Sequence, residues 1–189
     1  MHIRPLFVAV FAAAALLAAG CGGSSDTTSS DTAASDTMTT EKWADGLCSS
    51  ITVWTSSLTS VVDTVKGGDL SQESLTGAVD AAKTATDTFT TSLAGLGKPD
   101  SEAGQQAKDS VDQLATDIRA DMTKIEDAVA GATDVSGVLN AVSVVTSTLA
   151  TAGQQVSSTL TGLQGAGAKG ELESAFKAAP SCQSLTGGA

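Results

Sequence analysis

Apolar side chains recur at intervals of three and four residues through most of the chain, from residue 43 to residue 163. In an α-helix of about 3.6 residues per turn, this spacing places them along one face. Glycine-containing segments interrupt the pattern at residues 66–69, 95–97 and 131–136, and glycine commonly ends helices. The spacing therefore predicts four helices of about 25–30 residues, and no segment alternates for long enough to predict a strand.

The order of these runs predicts the fold class. They are Trp43–Val65, Leu75–Leu96, Ala103–Val129 and Val138–Leu163. Asp69 or Ser71 can cap the second helix, Pro99 suits the first turn of the third, and a short fifth helix is expected near Glu171–Ala178, ended by Pro180. Because short loops make consecutive helices antiparallel, we expect an all-α fold, an antiparallel up-down four-helix bundle with a short C-terminal fifth helix.

The apolar faces are narrow and rich in Ala, Val and Thr, which favours close helix approach around a thin core. Bulky side chains are few, with only two tryptophans in the chain. Trp43 and Trp54 are separated by eleven residues, which is close to three full turns, so they share one helix face. We expect both tryptophans and Phe89 to belong to the core rather than to a cofactor site.

The chain begins with a segment typical of an exported protein. It reads MHIRPLFVAVFAAAALLAAGC, with Arg4 before an apolar run from Leu6 to Ala19. This run of 14 residues is shorter than the roughly 20 that cross the hydrocarbon of a bilayer. A basic start, a short apolar stretch and small residues before a cleavage point are typical of a secretory signal peptide.

Small residues lead directly into Cys21, and this end of the segment resembles the lipobox of bacterial lipoproteins. That family usually has leucine three residues before the cysteine, where this chain has Ala18. The resemblance implies that residues 1–20 are a removed signal peptide and that the Cys21 thiol is diacylated. Two acyl chains anchor a protein stably, so the implied location is the outer leaflet of the cell membrane. An ordinary secreted protein, cut near Ala19, is the alternative.

The next segment has the composition of a linker. Residues 22–40 read GGSSDTTSSDTAASDTMTT, which offers too little apolar surface to offset the entropy lost on folding. We therefore expect Cys21 and the following residues to 40 to form a disordered Ser/Thr/Asp-rich linker, and residues 41–189 to form the helical domain. Together with the segment WADGLC and the lipobox, this composition resembles small Ala/Thr-rich helical lipoproteins of Gram-positive bacteria with high-GC genomes.

The charge of the mature chain limits its partners. Without residues 1–20 it has 9 basic residues against 21 acidic ones, a net charge of −12. Nucleic-acid binding needs a basic surface that displaces counterions from phosphates, so we expect no nucleic-acid partner. Anionic headgroups would also repel this chain, so we expect its membrane contact to come from the lipid alone.

Two cysteines remain outside the N-terminal segment, Cys48 and Cys182. Thiols of exported proteins usually pair. In an up-down bundle, the fourth helix returns to the end at which the first begins, and Cys182 follows it closely. The sequence therefore predicts a Cys48–Cys182 disulfide, which would stabilise the fold by about 5 kcal/mol in the chain-entropy model.

The residue types usual in catalysis are missing. The single histidine, His2, lies within the predicted signal peptide, and the chain has no tyrosine. Nucleophilic catalysis needs an activating base, and metal-assisted catalysis needs a ligand set with an open position. We therefore expect no enzymatic activity and no cofactor. Ser–Lys and paired-carboxylate chemistry stay open, although no motif indicates either.

Two segments resemble binding motifs. GAGAKG at residues 165–170 matches G-x-G-x-x-G, but dinucleotide binding needs a strand before it, so a joint between helices is favoured. Acidic residues also crowd the third helix, namely Asp109, Asp112, Asp117, Asp121, Glu126 and Asp127. We expect them to lie off the apolar face as a solvated surface without a metal site, although weak calcium binding stays open.

Two functions are compatible with these features. The expected lipid anchor, the linker and the missing catalytic groups favour a non-catalytic binding or scaffolding module that meets another envelope protein. The alternative is a carrier of an apolar small molecule between the helices, because small core residues can leave a cavity. A continuous internal pocket of several hundred Å³, the usual size of ligand sites, would favour the carrier.

Overall fold

A computed structural model of the chain describes residues 37–67, 71–166 and 170–186. The prediction of a mostly helical chain is confirmed for these residues. The helices are α1 (Thr40–Gly67), α2 (Gln72–Gly95), α3 (Gly104–Ala130), α4 (Val135–Gly165), α5 (Glu171–Ala178) and α6 (Pro180–Thr186). The glycine-containing breaks therefore separate the long helices as the spacing predicted.

Polar side chains begin two of the long helices. Ser71 Oγ accepts a hydrogen bond from the backbone N–H of Ser74 at the start of α2, at 3.2 Å. Asp134 Oδ1 does the same for the N–H of Gly137 at the start of α4, at 2.7 Å. These bonds satisfy backbone groups that have no partner within the helix.

Two prolines have roles that differ from those expected. Pro99 is not in the first turn of α3, as predicted, but in a two-residue strand, β2 (Lys98–Pro99), which pairs in parallel with β1 (Thr37–Met38). The Asp100 N–H continues this pairing by donating to the Met38 carbonyl, at 2.8 Å. Pro180 ends α5 but also begins α6, a helix that the sequence did not predict. Proline suits that position because the first turn needs no N–H donor.

Residues 37–40, which the sequence assigns to the linker, contact the domain. Met38 is half-buried and packs against the hydrophobic core, and Thr40 already belongs to α1. The Thr40 hydroxyl donates to the Asp100 carbonyl, at 3.0 Å. Packed structure therefore begins at least four residues before residue 41.

Helices that follow each other in the chain pack together, α1 with α2, α2 with α3 and α3 with α4. By contrast, α1 and α4 come close to each other at few points. The short helix α5 lies against both of them, and α6 lies against α1. The predicted core aromatics are buried, with the Trp54 ring stacked on Phe89 at 4.8 Å and Trp43 edge-on to Phe176 at 6.3 Å.

Helix α4 is unusually apolar and has no charged residue. Among the described residues it alone is long and apolar enough to cross a membrane, with a mean hydropathy of 1.4 in its most apolar window, of which 22% is buried. Core helices of soluble domains meet the same criterion. In this domain α4 packs along α3 and places Val138, Ala141, Ala152, Val156 and Leu163 in the interior.

Candidate functional site

The cysteines predicted to pair lie at bonding distance. The Sγ atoms of Cys48 and Cys182 are 1.98 Å apart and their Cα atoms 5.0 Å apart, as in protein disulfides. Beside them, the Ser181 N–H donates to the Asp45 carboxylate, at 2.9 Å. These bonds tie α6 to the first turns of α1. Cys21, the predicted lipidation site, lies outside the described residues.

The glycine-rich segment 165–170 connects two helices. Helix α4 ends at Gly165 and α5 begins directly after Gly170, which has a positive φ of 64°, while residues 167–169 lie outside the described part. A dinucleotide site of the G-x-G-x-x-G type needs a strand before the glycines. Here a helix precedes them, so the segment lacks that setting.

Most acidic residues of α3 lie on its exposed side, as predicted. Asp109 accepts from Gln105 at 2.8 Å, and Asp112 pairs with Lys108. In the three described ranges, no group of three or more Asp, Glu, His or Cys side chains could hold a metal ion. Asp121 is different, because it is buried, and the prediction that all six acids lie off the apolar face was wrong at this position.

The Asp121 carboxylate has one oxygen paired and one without a partner. Its side chain is 5% exposed, and Oδ1 accepts from Lys124 Nζ at 2.7 Å. Oδ2 is buried and has no hydrogen-bond partner. Burial without a partner is costly for a charged oxygen. Asp121 Oδ2 is therefore an acceptor that can bind a donor from another molecule.

An apolar cavity of about 330 Å³, partly open to solvent, lies between the four long helices. All four long helices contribute to its lining, which consists of Leu58, Val61, Val62, Val65, Leu75, Ala78, Val79, Ala82, Ile125, Val142, Val145, Thr146 and Leu149. Every lining side chain is apolar except that of Thr146, which is exposed. Ligand sites commonly have volumes of about 300–1,000 Å³, so this cavity has room for a small molecule.

The position of α5 explains why the space remains. Leu172 and Phe176 of α5 are buried, and Phe176 meets Trp43 in the first turn of α1. Because α5 contacts both α1 and α4, it lies between these helices at that end of the domain. Near the other end, where α1 finishes and α4 begins, the corresponding space is the cavity.

A second, much smaller cavity adjoins the apolar one. Its volume is about 20 Å³, and its lining includes Asp121, Thr86, Thr148 and Trp54. The Trp54 indole N–H donates to the Thr86 hydroxyl, at 3.2 Å. Four residues line both cavities, namely Leu58, Ala82, Ile125 and Leu149. The apolar cavity thus has a small polar pocket beside it.

A larger groove of about 870 Å³ lies between α1 and α2. It is lined mainly by small side chains, many of them Ser and Thr, and Val53 is exposed there. Several of its hydroxyl groups already donate to backbone carbonyls of their own helix, for example those of Ser57 and Thr88. The apolar cavity of about 330 Å³ has the more apolar lining of the two and is therefore the better site for an apolar molecule.

The polar pocket was missed from the sequence for a reason that lies in helix geometry. Asp121 follows Ile118 by three residues and precedes Ile125 by four, so it satisfies the helical spacing as well as its apolar neighbour Met122. Thr148 stands in the same relation to Val145 and Ala152. That double match was the one signal available for either residue.

Chemically, the site offers apolar surface, one charged acceptor and two hydroxyl groups. Together these groups can bind a mainly apolar molecule and orient it. No protein-family model matches the chain, and neither the curated proteins nor the solved structures include a detectable match.

Proposed function

We propose that this chain is a membrane-anchored extracytoplasmic lipoprotein whose helical domain carries an apolar small molecule. The observation that carries the proposal is the cavity of about 330 Å³ with its nearly uniform apolar lining. Moving apolar surface from water into such a space is favourable by about 25 cal/mol per Å². The proposed role needs no catalytic residue.

We propose an antiparallel up-down arrangement of α1 to α4 as the frame of this site. In support, Trp43, near the start of α1, donates from Nε1 to the carbonyl of Gly97, which follows α2. Trp54, later in α1, stacks on Phe89, which lies earlier in the chain, within α2. When residue numbers increase along one helix and the residues they contact decrease in number along the other, the two helices run antiparallel. The ion pair of Lys83 in α2 with Glu126 in α3, at 2.9 Å, joins the next pair of helices.

Lipidation at Cys21 is part of the proposal and rests on the lipobox resemblance. An acyl anchor would hold the domain beside the membrane, where apolar molecules are concentrated. Labelled palmitate should be incorporated by the wild-type chain in a Gram-positive host and not by the Cys21→Ser variant. Equal labelling of the two proteins would contradict it.

Binding to the cavity can be tested with an uncharged fluorescent naphthylamine probe, whose emission rises in apolar surroundings. We expect the wild-type domain to bind this probe and Ala82→Phe to bind it at least tenfold more weakly. Ala82 is buried and lines the cavity, so a phenyl ring there occupies the ligand's space. A tenfold loss corresponds to about 1.4 kcal/mol of binding free energy.

The matched control is Ala81→Phe, because Ala81 neighbours Ala82 in α2 but is exposed and lines the outer groove. This variant should bind the probe as the wild type does. Circular dichroism must show that both variants remain helical. Probe binding that is equally strong in a folded Ala82→Phe variant would exclude the cavity as the site.

A non-catalytic binding or scaffolding module is the second candidate function. Val135 and Leu139 favour it, since they are 78% and 60% exposed on a helix without charged residues, and exposed apolar patches often meet partners. The same variants separate the two functions. A scaffold would keep its envelope partner when the cavity is filled by Ala82→Phe, whereas a carrier would lose its ligand.

A further inference from the structure

The polar pocket beside the cavity indicates which end of a ligand enters first. Asp121 Oδ2 is enclosed, yet neither the backbone nor a side chain donates to it. The adjoining space of about 20 Å³ has room for one oxygen atom, since a water needs about 10–15 Å³ of such volume. A single O–H group is therefore the largest polar group that fits there.

We propose that the ligand is an apolar molecule with a terminal hydroxyl group, and that this hydroxyl donates to Asp121 Oδ2. This inference rests on the proposed carrier function. The apolar body would occupy the cavity of about 330 Å³, and the hydroxyl would pass between Leu58 and Leu149, which line both spaces, into the polar pocket. There it takes the place that a water molecule would otherwise occupy.

Other polar groups fit this pocket less well. A carboxylate or phosphate would be repelled by the Asp121 carboxylate. An ammonium group carries three donors and a positive charge, but the charge of Asp121 is already paired with Lys124 Nζ at 2.7 Å. A hydroxyl is neutral and carries one donor for the one unpaired acceptor, so alcohols match the pocket best.

The hydroxyl preference can be measured by comparing decanol with decane as competitors of the naphthylamine probe. The quantity of interest is the ratio of the two dissociation constants in each variant. Asp121→Leu removes the acceptor and keeps a side chain of similar size. We expect it to weaken decanol relative to decane by about tenfold, the size expected for a hydrogen bond to a charged group.

Asp112→Leu is the matched control, because Asp112 is also ion-paired on α3 but its side chain is 50% exposed. Its ratio should equal that of the wild type. Asp121→Asn keeps the shape and a weaker acceptor, so we expect a smaller loss of about threefold. This variant decides the matter if Asp121→Leu does not fold.

The outcomes separate this inference from the function on which it rests. If both competitors bind and the ratio is the same in wild type, Asp121→Leu and Asp121→Asn, then water alone satisfies Oδ2 and the alcohol preference is wrong, while the carrier function stands. If neither competitor displaces the probe from the wild type, both proposals fail. A ratio that changes equally in Asp112→Leu would also overturn the role of Asp121.

Discussion

Asp134 shows how a single side chain can link the stability of a helix to pH. Its carboxylate accepts from the Gly137 N–H at 2.7 Å and from the Ser136 hydroxyl at 2.8 Å. These bonds, chiefly the one from Gly137, hold the pKa of Asp134 below its ordinary value of 3.8. Since the pKa is lower in the folded state, the cap stabilises α4 fully above that ordinary value and less as the pH falls through the folded pKa.

We expect the melting temperature of wild type to exceed that of Asp134→Asn near neutral pH and to lose this advantage at about pH 2. The asparagine accepts the same backbone hydrogen bond at every pH but carries no charge for the N-terminus of the helix. Thermal unfolding followed by circular dichroism at both pH values measures the difference, which should be at most a few degrees. Asp63→Asn, at an exposed site in α1, reports the general effect of removing one carboxylate, and an identical response of the two variants would contradict the prediction.

Single residues were predictable where their chemistry is local. The capping of α2 and the core positions of Trp43 and Trp54 could be predicted from spacing and residue type. The burial of Asp121 could not, because positions 121 and 122 both match the helical spacing and apolarity favours Met122. Only packing against α2 and α4 decides that both side chains are buried.

At the scale of the helix, two helical glycines differ in how much space surrounds their Cα atoms. Gly153 lies inside α4, and a Cβ atom added there would meet nothing within 4 Å. Gly104 begins α3, and an added Cβ would lie 2.1 Å from the Pro99 carbonyl oxygen. The first glycine therefore only weakens its helix, whereas the second permits α3 to start against β2.

Replacement by alanine should accordingly change stability in opposite directions. Gly153→Ala should raise the free energy of unfolding by about 1 kcal/mol, the difference in helix propensity. Gly104→Ala should lower it, because the clash is with backbone that cannot rotate away. Urea denaturation of both variants measures the two effects, and a change of the same sign in both would show that local crowding does not govern them.

Elements were predictable to the extent that they depend on periodicity. The four long helices and α5 follow from apolar spacing and glycine breaks. The strand pair was not predictable, because two residues are too few to show alternation, and Pro99 read as a helix start. Helix α6 was not predicted, because a proline after a helical run typically marks the end of that helix, although proline also suits a first turn.

For the molecule as a whole, the Cys48–Cys182 bond encloses most of the domain. The two cysteines are separated by 134 residues, and closing a loop of this length in the unfolded chain corresponds to about 5 kcal/mol in the chain-entropy model. The same bond holds α6, and through it the end of α5, against α1. The cross-link therefore contributes to stability and fixes the C-terminal end of the domain on α1.

We expect the double variant Cys48→Ser, Cys182→Ser to unfold at a markedly lower urea concentration than the oxidised wild type. Native strain and residual unfolded structure reduce such effects, so a loss of about 2–5 kcal/mol is expected. Adding a reductant should lower the midpoint of the wild type and leave that of the double variant unchanged. Equal midpoints for the oxidised wild type and the double variant would contradict this.

The arrangement of the whole molecule was only partly predictable. Short connections between helices indicate which neighbours pack together, and this also led to the cysteine pairing. The cavity was raised as an alternative but could not be located, because its existence depends on how far α5 separates α1 from α4. That distance follows from the packing of Phe176 against Trp43, which involves residues far apart in the sequence.

The disulfide also has a mechanical consequence when the chain is placed under tension. Tension applied between the N- and C-terminal sides of the domain passes directly from Cys48 to Cys182 through the sulfur atoms. The residues between them, which include α2, α3 and α4, form a closed ring that bears no load. Stretching can extend only the short stretches outside this ring, so the walls of the cavity are insulated from force on the polypeptide.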